Sequence, residues 1–288
     1  MIYDTVQDWL NARHKRVLLC GMSGLGKTHV SHMLSASGGW FHYSVDYRIA
    51  TRYMGEHIAD NIKRQAMTNP FLRDLLLTDS IYIAANTTFN NLAPLSSYLG
   101  RPGDPSRGGL VMAEYARRQD QHRVAEVAAL RDCAHFIDRA KALYSYDNFV
   151  CDSSGSICEV VDPQYADDPV LKYLSEHMLL VWIEGAQDQT DELIRRFEAA
   201  PKPMCYKAEF LAARWADYLT ENNLKEGGVD PDHFVSSAFS HAVAHRQPRY
   251  AAMAANWGVT VSAEDIAKAT TPSAFDTLVA RALEMRGR

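Results

Sequence analysis

Eight residues near the amino terminus, Gly21 to Thr28, read GMSGLGKT and directly follow the apolar run RVLLC. Their spacing, G-x-x-x-x-G-K-T between a strand and a helix, is typical of a loop whose backbone amides ring a phosphate. We expect Lys27 to reach the β- and γ-phosphates of a nucleotide and the Thr28 hydroxyl to bind Mg²⁺. The predicted nucleotide contacts are Gly21, Ser23, Gly24, Leu25, Gly26, Lys27, Thr28 and His29.

Two aspartates stand at the ends of apolar segments that we predict to be strands. Asp46 follows WFHYSV, and Asp152 ends NFVCD. Open α/β sheets bind ligands at the carboxyl ends of their strands. Asp46 is therefore a candidate for orienting or deprotonating an acceptor hydroxyl, and Asp152 for contacting Mg²⁺ or its water shell. Alternatively, Asp46 caps the next helix and Asp152 opens a polar turn.

Three cations follow the fourth predicted strand, in IRRFEAAPKPM: Arg195, Arg196 and Lys202. Phosphoryl transfer needs positive charge around the moving group. The segment near 200–206, with two prolines and a lysine, is predicted to be a mobile lid; the alternative is a rigid connector.

Apolar runs that alternate with helical stretches predict a parallel sheet with helices on both faces. The predicted strands cover 16–20, 40–45, 148–152, 177–184 and 258–261, and helices are predicted at 27–35, 188–199, 207–222 and 230–245. Between strands two and three the sequence has no convincing core strand, SIYIA at 80–84 being a weak candidate. Helices are predicted there at 48–65, 91–99, 110–130 and 134–144. We predict a nucleotide-binding core of residues 1–47 and 148–288, with a helical insertion, 48–147, that holds the acceptor.

One stretch of the insertion, MAEYARRQDQHR at 112–123, carries several arginines. Arg117, Arg118 and Arg123 are candidates for binding phosphate or carboxylate. The acidic residues interleaved with them, such as Glu126, favour a solvated helix face instead.

The order of these motifs resembles the shikimate-kinase-type branch of P-loop kinases. The matching pieces are GMSGLGKT, DYRI from Asp46, DSSGS from Asp152, LLVWIE, IRR, PKPM, HRQPRYAAMA from His245 to Ala254, and GVTV. They lie in the family's order over residues 16–56 and 148–262. After the phosphate loop, the most informative match is R-x-P-x-Y-x-x-x-A, which begins at Arg246.

The resemblance implies a P-loop NTPase-type three-layer α/β sandwich with a five-stranded parallel sheet, and a kinase that uses ATP and Mg²⁺. By this resemblance Asp46 binds the acceptor hydroxyl, and Arg246 grips an anionic acceptor. Lys202 stands where the family has a lid arginine; it keeps the charge but lacks the planar fork. Arg196, with Arg195, packs on the adenine.

The sequence also departs from the family pattern. The family's triple-glycine turn is SSGS here, Ser44 replaces the first aspartate of D-x-D, and the insertion replaces the short acceptor-binding segment. The acceptor is therefore expected to differ from shikimate. Arg48, Ser154 and Gly155 complete the predicted acceptor site.

The composition of the chain argues against two classes of partner, nucleic acids and membranes. The chain has 288 residues, 47% hydrophobic and 23% charged, with a net charge of −5, which does not favour nucleic acid or an anionic membrane. The longest apolar run, MLLVWI, is too short to span a bilayer, and the amino terminus does not read as a signal peptide. Five scattered cysteines indicate reduced thiols and a cytoplasmic location.

Three functions remain open from the sequence. The favoured one is a kinase that transfers the γ-phosphate of ATP to a small-molecule hydroxyl. The second is an ATPase or nucleotide switch whose insertion contacts a protein or RNA. The third is a nucleotide-binding module without chemistry, against which the intact Lys27–Thr28 pair argues.

Overall fold

A computed structural model describes residues 1–199 and 204–287. In this part of the chain five strands form one parallel sheet in the order β2-β3-β1-β4-β5. The strands are β1 (Arg16–Cys20), β2 (Trp40–Ser44), β3 (Asn148–Asp152), β4 (Leu179–Glu184) and β5 (Gly258–Ser262). Helices flank the sheet, which confirms the predicted P-loop-type α/β sandwich with five parallel strands.

The central strands are continuous apolar runs, because a parallel sheet covered by helices buries both of its faces. Val17, Leu18 and Leu19 of β1 are fully buried, as are Leu179 and Val181 of β4. Strand β1 pairs with β3 on one side and β4 on the other. The loop that follows β1 therefore leaves the middle of the sheet.

The helices that the sequence predicted, other than α13 and the helix over 48–65, differ from their predicted bounds by one or two residues. The bounds of all the α-helices in the described residues follow. They are α1 (Val6–Asn11), α2 (Lys27–Ala36), α3 (Val45–Arg48), α4 (Gly55–Ala66), α5 (Pro70–Leu77), α6 (Ala93–Leu99), α7 (Met112–Arg131), α8 (Cys133–Tyr144), α9 (Ile157–Val160), α10 (Pro169–His177), α11 (Gln187–Ala199), α12 (Ala208–Glu221), α13 (Pro231–Trp257), α14 (Ala263–Lys268) and α15 (Pro272–Arg286). A π-helical turn covers Ile49–Tyr53, and 3₁₀ turns cover Pro105–Arg107 and Glu226–Gly228.

Several segments differ from the prediction in kind. Helix α13 does not end at His245 but continues through Pro248, because its apolar face beyond the proline, including Tyr250 and Met253, is buried. The predicted helix over 48–65 is split by the π-helical turn. The helices α1, α5, α9, α10, α14 and α15 were not predicted. For α5, Asn69 before Pro70 is a start signal, since its side chain accepts from the amides of the first turn. The weak strand SIYIA is not a strand.

The chain divides into two compact units. Unit 1, which contains the sheet, comprises Met1–Val45, Glu126–Pro201 and Ser236–Arg288; unit 2 comprises Asp46–Ala125 and Lys202–Val235. These boundaries differ from the predicted core and insertion. Residues 126–147 belong with the sheet, since α8 packs on β2 and β3. In unit 2, Gln119 donates to the carbonyl of Met204, which ties the later segment to the helices before it.

Two further expectations concern the whole chain. All five cysteines lie among the described residues, and each is a buried free thiol. Over residues 1–199 and 204–287, no helix combines the length and the hydropathy that crossing a membrane requires.

Candidate functional site

The phosphate loop leaves β1 at Gly21 and enters α2 at Lys27. Gly21 and Gly26 have φ angles of 138° and 101°, a region that side chains with a Cβ rarely adopt. A Cβ on Gly21 would also lie 2.7 Å from the carbonyl oxygen of Ile183 in β4. Both the loop conformation and its seat against the sheet therefore require glycine, as the motif predicts.

Lys27 folds back over this loop. Its side chain is buried, and Nζ donates to the carbonyl oxygens of Gly21 (2.7 Å) and Met22 (3.1 Å). The ammonium group is thus held at the loop itself, where a cation stabilises the phosphates of a bound nucleotide.

Thr28 and Asp152 form the candidate magnesium site. The Thr28 hydroxyl donates to Oδ2 of Asp152 at 2.7 Å. Asp152 ends β3 and pairs in register with Leu19 of β1, so its carboxylate is fixed beside the loop. His42 of β2 lies near the same oxygen, Nε2 to Oδ2 being 3.7 Å. A hydroxyl and a carboxylate are hard oxygen ligands of the kind Mg²⁺ binds, so the pair fits the ion.

The turn after β3 packs against the phosphate loop. A Cβ placed on Gly155 would lie 2.3 Å from Ser23 Oγ and 3.2 Å from Ser23 N, so glycine stands where the two segments meet. The hydroxyls of Ser154 and Ser156, on either side, both donate to the carboxylate of Glu126, the second at 2.8 Å. Glu126 is fully buried, and the prediction that it belongs to a solvated helix face is wrong.

Arg246 has partners that the sequence did not suggest. It is fully buried; Nε donates to Glu159 at 2.7 Å and Nη1 to the carbonyl of Gly155 at 3.3 Å. Burial lowers the pKa of Arg246, but the charge of Glu159 and other neighbours outweighs it, and the pKa lies above the ordinary value. Tyr250, one turn along α13, donates to the same Gly155 carbonyl at 3.0 Å. These contacts position the turn, and a contact of Arg246 with an acceptor stays a prediction.

A cavity of about 610 Å³ lies beside the phosphate loop, between α11 and α14. Arg195 and Arg196 both line it and both pair with Glu192, at 2.6 and 2.7 Å. The other lining residues are Gly24, Leu25, Gly26, His29, Asp188, Gln189, Glu192, Leu193, Ala263, Ile266 and Ala267. The volume lies within the usual range for small-molecule sites.

The predicted acceptor residues Asp46 and Arg48 lie in α3, at the start of unit 2. Both are half-buried, and the Arg48 guanidinium lies 5.6 Å from the centre of the Tyr53 ring. Ser44, the last residue of β2, is paired in register with Asp152, and Asp46 comes two residues later. Lys202, the predicted lid cation, lies outside the described residues.

The arginines of α7 are engaged within unit 2. Arg118 is buried and donates to Glu114, to Asn61 and to the carbonyl of Tyr98. Arg117 pairs with the same Glu114 on the surface, which holds the pKa of that carboxyl low, at about 2. These contacts agree with a structural role for this helix.

Sequence reasoning missed Glu126, Glu159 and Glu192, the three carboxylates that hold these elements. The order DSSGS indicated a turn after β3 but not what its serines bind, because Glu126 lies 26 residues before Asp152. Glu192, by contrast, precedes Arg195 and Arg196 by three and four residues, a helical spacing that could have indicated the pairing.

No family model matches the chain, and no curated protein matches it in sequence. In structure it is similar to shikimate kinase from Bacteroides thetaiotaomicron, with 14% sequence identity over 95% of this chain and 99% of that chain, and a TM-score of 0.40. A likeness of this degree says nothing about the reaction, which has to be inferred from the residues of the site.

Proposed function

We propose that the protein is an ATP-dependent phosphotransferase that moves the γ-phosphate of ATP to a hydroxyl of a small molecule. The observation that carries the proposal is the arrangement of Lys27, Thr28 and Asp152 around one glycine-rich loop. Lys27 is held on the loop, and Thr28 donates to Asp152 at 2.7 Å. Loop, cation and paired oxygen ligands are the parts that bind a Mg–nucleoside triphosphate.

The residues suggest a division of roles. The loop amides and Lys27 would hold the phosphates, and Thr28 with Asp152 would hold Mg²⁺, which neutralises charge on the phosphate oxygens. The cavity at Arg195 and Arg196 is adequate for the nucleobase. Asp46, two residues beyond β2, would accept the proton of the acceptor hydroxyl.

The reaction balances with these groups alone. The acceptor oxygen bonds to the γ-phosphorus while the bond from that phosphorus to the bridging oxygen breaks, and ADP leaves. The hydroxyl proton passes to the carboxylate of Asp46. Most of the rate enhancement would come from positioning and from charge stabilisation, as in phosphoryl transfer generally.

Transfer is favoured over hydrolysis by the side chains of the turn after β3. Enzymes that hydrolyse the γ-phosphate orient a water with a side chain such as glutamine. The four residues after Asp152 are Ser153, Ser154, Gly155 and Ser156, which supply neither a carboxylate nor an amide side chain.

The test is incubation of the protein with Mg–ATP and a panel of hydroxylated metabolites, with detection of phosphorylated product. Product is expected with the wild type and is expected to be lost in Lys27→Ala and Asp46→Asn. Lys172→Ala, an exposed lysine of α10, is the matched control and is expected to keep the wild-type rate. ADP formation without any acceptor, undiminished in Asp46→Asn, would instead identify an ATPase.

A further inference from the structure

We propose that Glu126 is a positioning residue of the nucleotide site, which sets the place of the phosphate loop through the turn after β3. The inference rests on the proposed function in one respect only, namely that the loop binds a nucleotide. It does not require that phosphate be transferred.

The Glu126 carboxylate is fully buried, and each of its two oxygens accepts a hydrogen bond from a serine hydroxyl, Ser154 on one and Ser156 on the other. The two serines are themselves buried. A buried carboxylate that lost such donors would be costly, so the three side chains hold one another in place.

The turn is linked to the phosphate loop through Gly155. This glycine lies between the two serines, and the space where its Cβ would be is filled by Ser23 of the loop. The carbonyl of Gly155 is held from the other side by Arg246 and Tyr250. The turn is therefore fixed on both sides by buried polar groups and meets the loop at its one glycine.

The hydrogen bonds to Glu126 also explain how serines can stand in this turn. A turn this close to a phosphate loop needs little side-chain bulk on the side that faces the loop. Here Gly155 meets Ser23, and the hydroxyls of Ser154 and Ser156 are bound to Glu126. Glu126 thus allows two serines to occupy the turn without disturbing the loop.

The experiment measures the Kd of Mg–ADP by calorimetry and amide hydrogen exchange over residues 153–158. Glu126→Ala is expected to weaken Mg–ADP binding about tenfold, the factor that corresponds to 1.4 kcal/mol, and to speed exchange in this segment. Glu126→Gln keeps an acceptor for one serine and can donate to the hydroxyl oxygen of the other, so we expect its Kd to stay within about threefold of wild type.

Asp276→Ala is the matched control. It removes another carboxylate of unit 1, one that accepts from Lys15 at 2.5 Å at the opposite end of β1 from the loop. We expect it to lower stability and to leave the Kd of Mg–ADP unchanged. Equal weakening in Asp276→Ala and Glu126→Ala would overturn the proposal, because general destabilisation would then explain both.

Two other results would also overturn it. They are a wild-type Kd in Glu126→Ala, and a Kd in Glu126→Gln as weak as in Glu126→Ala, which would show that hydrogen bonding to the two serines is not what positions the loop. If Glu126→Ala does not fold, the Ser154→Ala/Ser156→Ala double variant decides by the same measurements. A wild type that binds Mg–ADP but phosphorylates no acceptor contradicts the proposed reaction and leaves this test intact.

Discussion

The buried ion pair between Glu159 and Arg246 allows an expected stability change to be worked from the structure. Both side chains have zero exposure, and Arg246 Nε lies 2.7 Å from Glu159 Oε1. Removing one partner of a buried pair leaves a charge without its counterion, which typically costs about 3–5 kcal/mol. We expect Glu159→Ala to lower the free energy of unfolding by about that amount.

The assay is urea denaturation of the nucleotide-free protein at neutral pH. Glu264→Ala is the control, because Glu264 pairs with Lys268 at the same close range but both side chains are largely exposed, 74% and 67%. Exposed pairs contribute little, so no measurable change is expected there. The Glu159→Leu/Arg246→Met double variant removes both charges and is expected to recover much of the loss.

A loss below about 1 kcal/mol in Glu159→Ala would refute this reasoning, because a fully buried guanidinium cannot lose its carboxylate so cheaply unless it reaches water. So would a double variant less stable than Glu159→Ala. The double variant also removes the hydrogen bond from Arg246 to the Gly155 carbonyl and leaves that oxygen only Tyr250 of these two donors, so the turn beside the phosphate loop is held less firmly. We therefore expect stability to recover more completely than Mg–ADP affinity.

Two further predictions use other parts of the molecule. Burial lowers the pKa of His122 to about 4, below its ordinary value of about 6.5, so the unfolded chain takes up a proton that the folded chain does not. The resulting loss of stability begins as the pH falls below 6.5 and reaches about 2 kcal/mol at pH 5. In urea titrations, His122→Gln is expected to lose about 2 kcal/mol less than the wild type in free energy of unfolding between pH 7.5 and pH 5. An equal loss in the two proteins would contradict this prediction. Ala267 is exposed and lines the cavity beside the phosphate loop. Ala267→Trp is expected to weaken ATP binding at least about tenfold and to leave the binding of tripolyphosphate, which has no nucleobase, unchanged in competition assays. Equal weakening of both ligands would show that the cavity does not bind the nucleobase.

The sheet and the phosphate loop could be predicted because their signals are local. Strand β1, the glycines and the helix that follows are consecutive, and each needs a particular backbone conformation. The other strands were found by their apolar runs, which a parallel sheet requires. The order of the strands could not be predicted from these runs, because an apolar segment does not specify which strands lie beside it.

Burial of charged residues could not be predicted in the same way. Glu126 stands in a polar, mixed-charge helix, and Arg246 precedes a proline by two residues. Both patterns are typical of a surface or a helix end. Their buried partners, Ser154 for Glu126 and Glu159 for Arg246, are distant in sequence, so only the folded chain shows these pairs.

The charges around the loop explain why these partners matter for binding a nucleotide. A chain of net charge −5 has no global attraction for a triphosphate, so affinity must come from local groups. Lys27 supplies attraction, and the carboxyl groups of Glu126 and Glu159 lie close to the turn that meets the loop. Glu159 is paired with Arg246, and the described donors to Glu126 include the hydroxyls of Ser154 and Ser156. Two buried carboxyl groups thus stand near the proposed anion site, and by the proposal above Glu126 is there to order the turn against which the phosphate loop is seated.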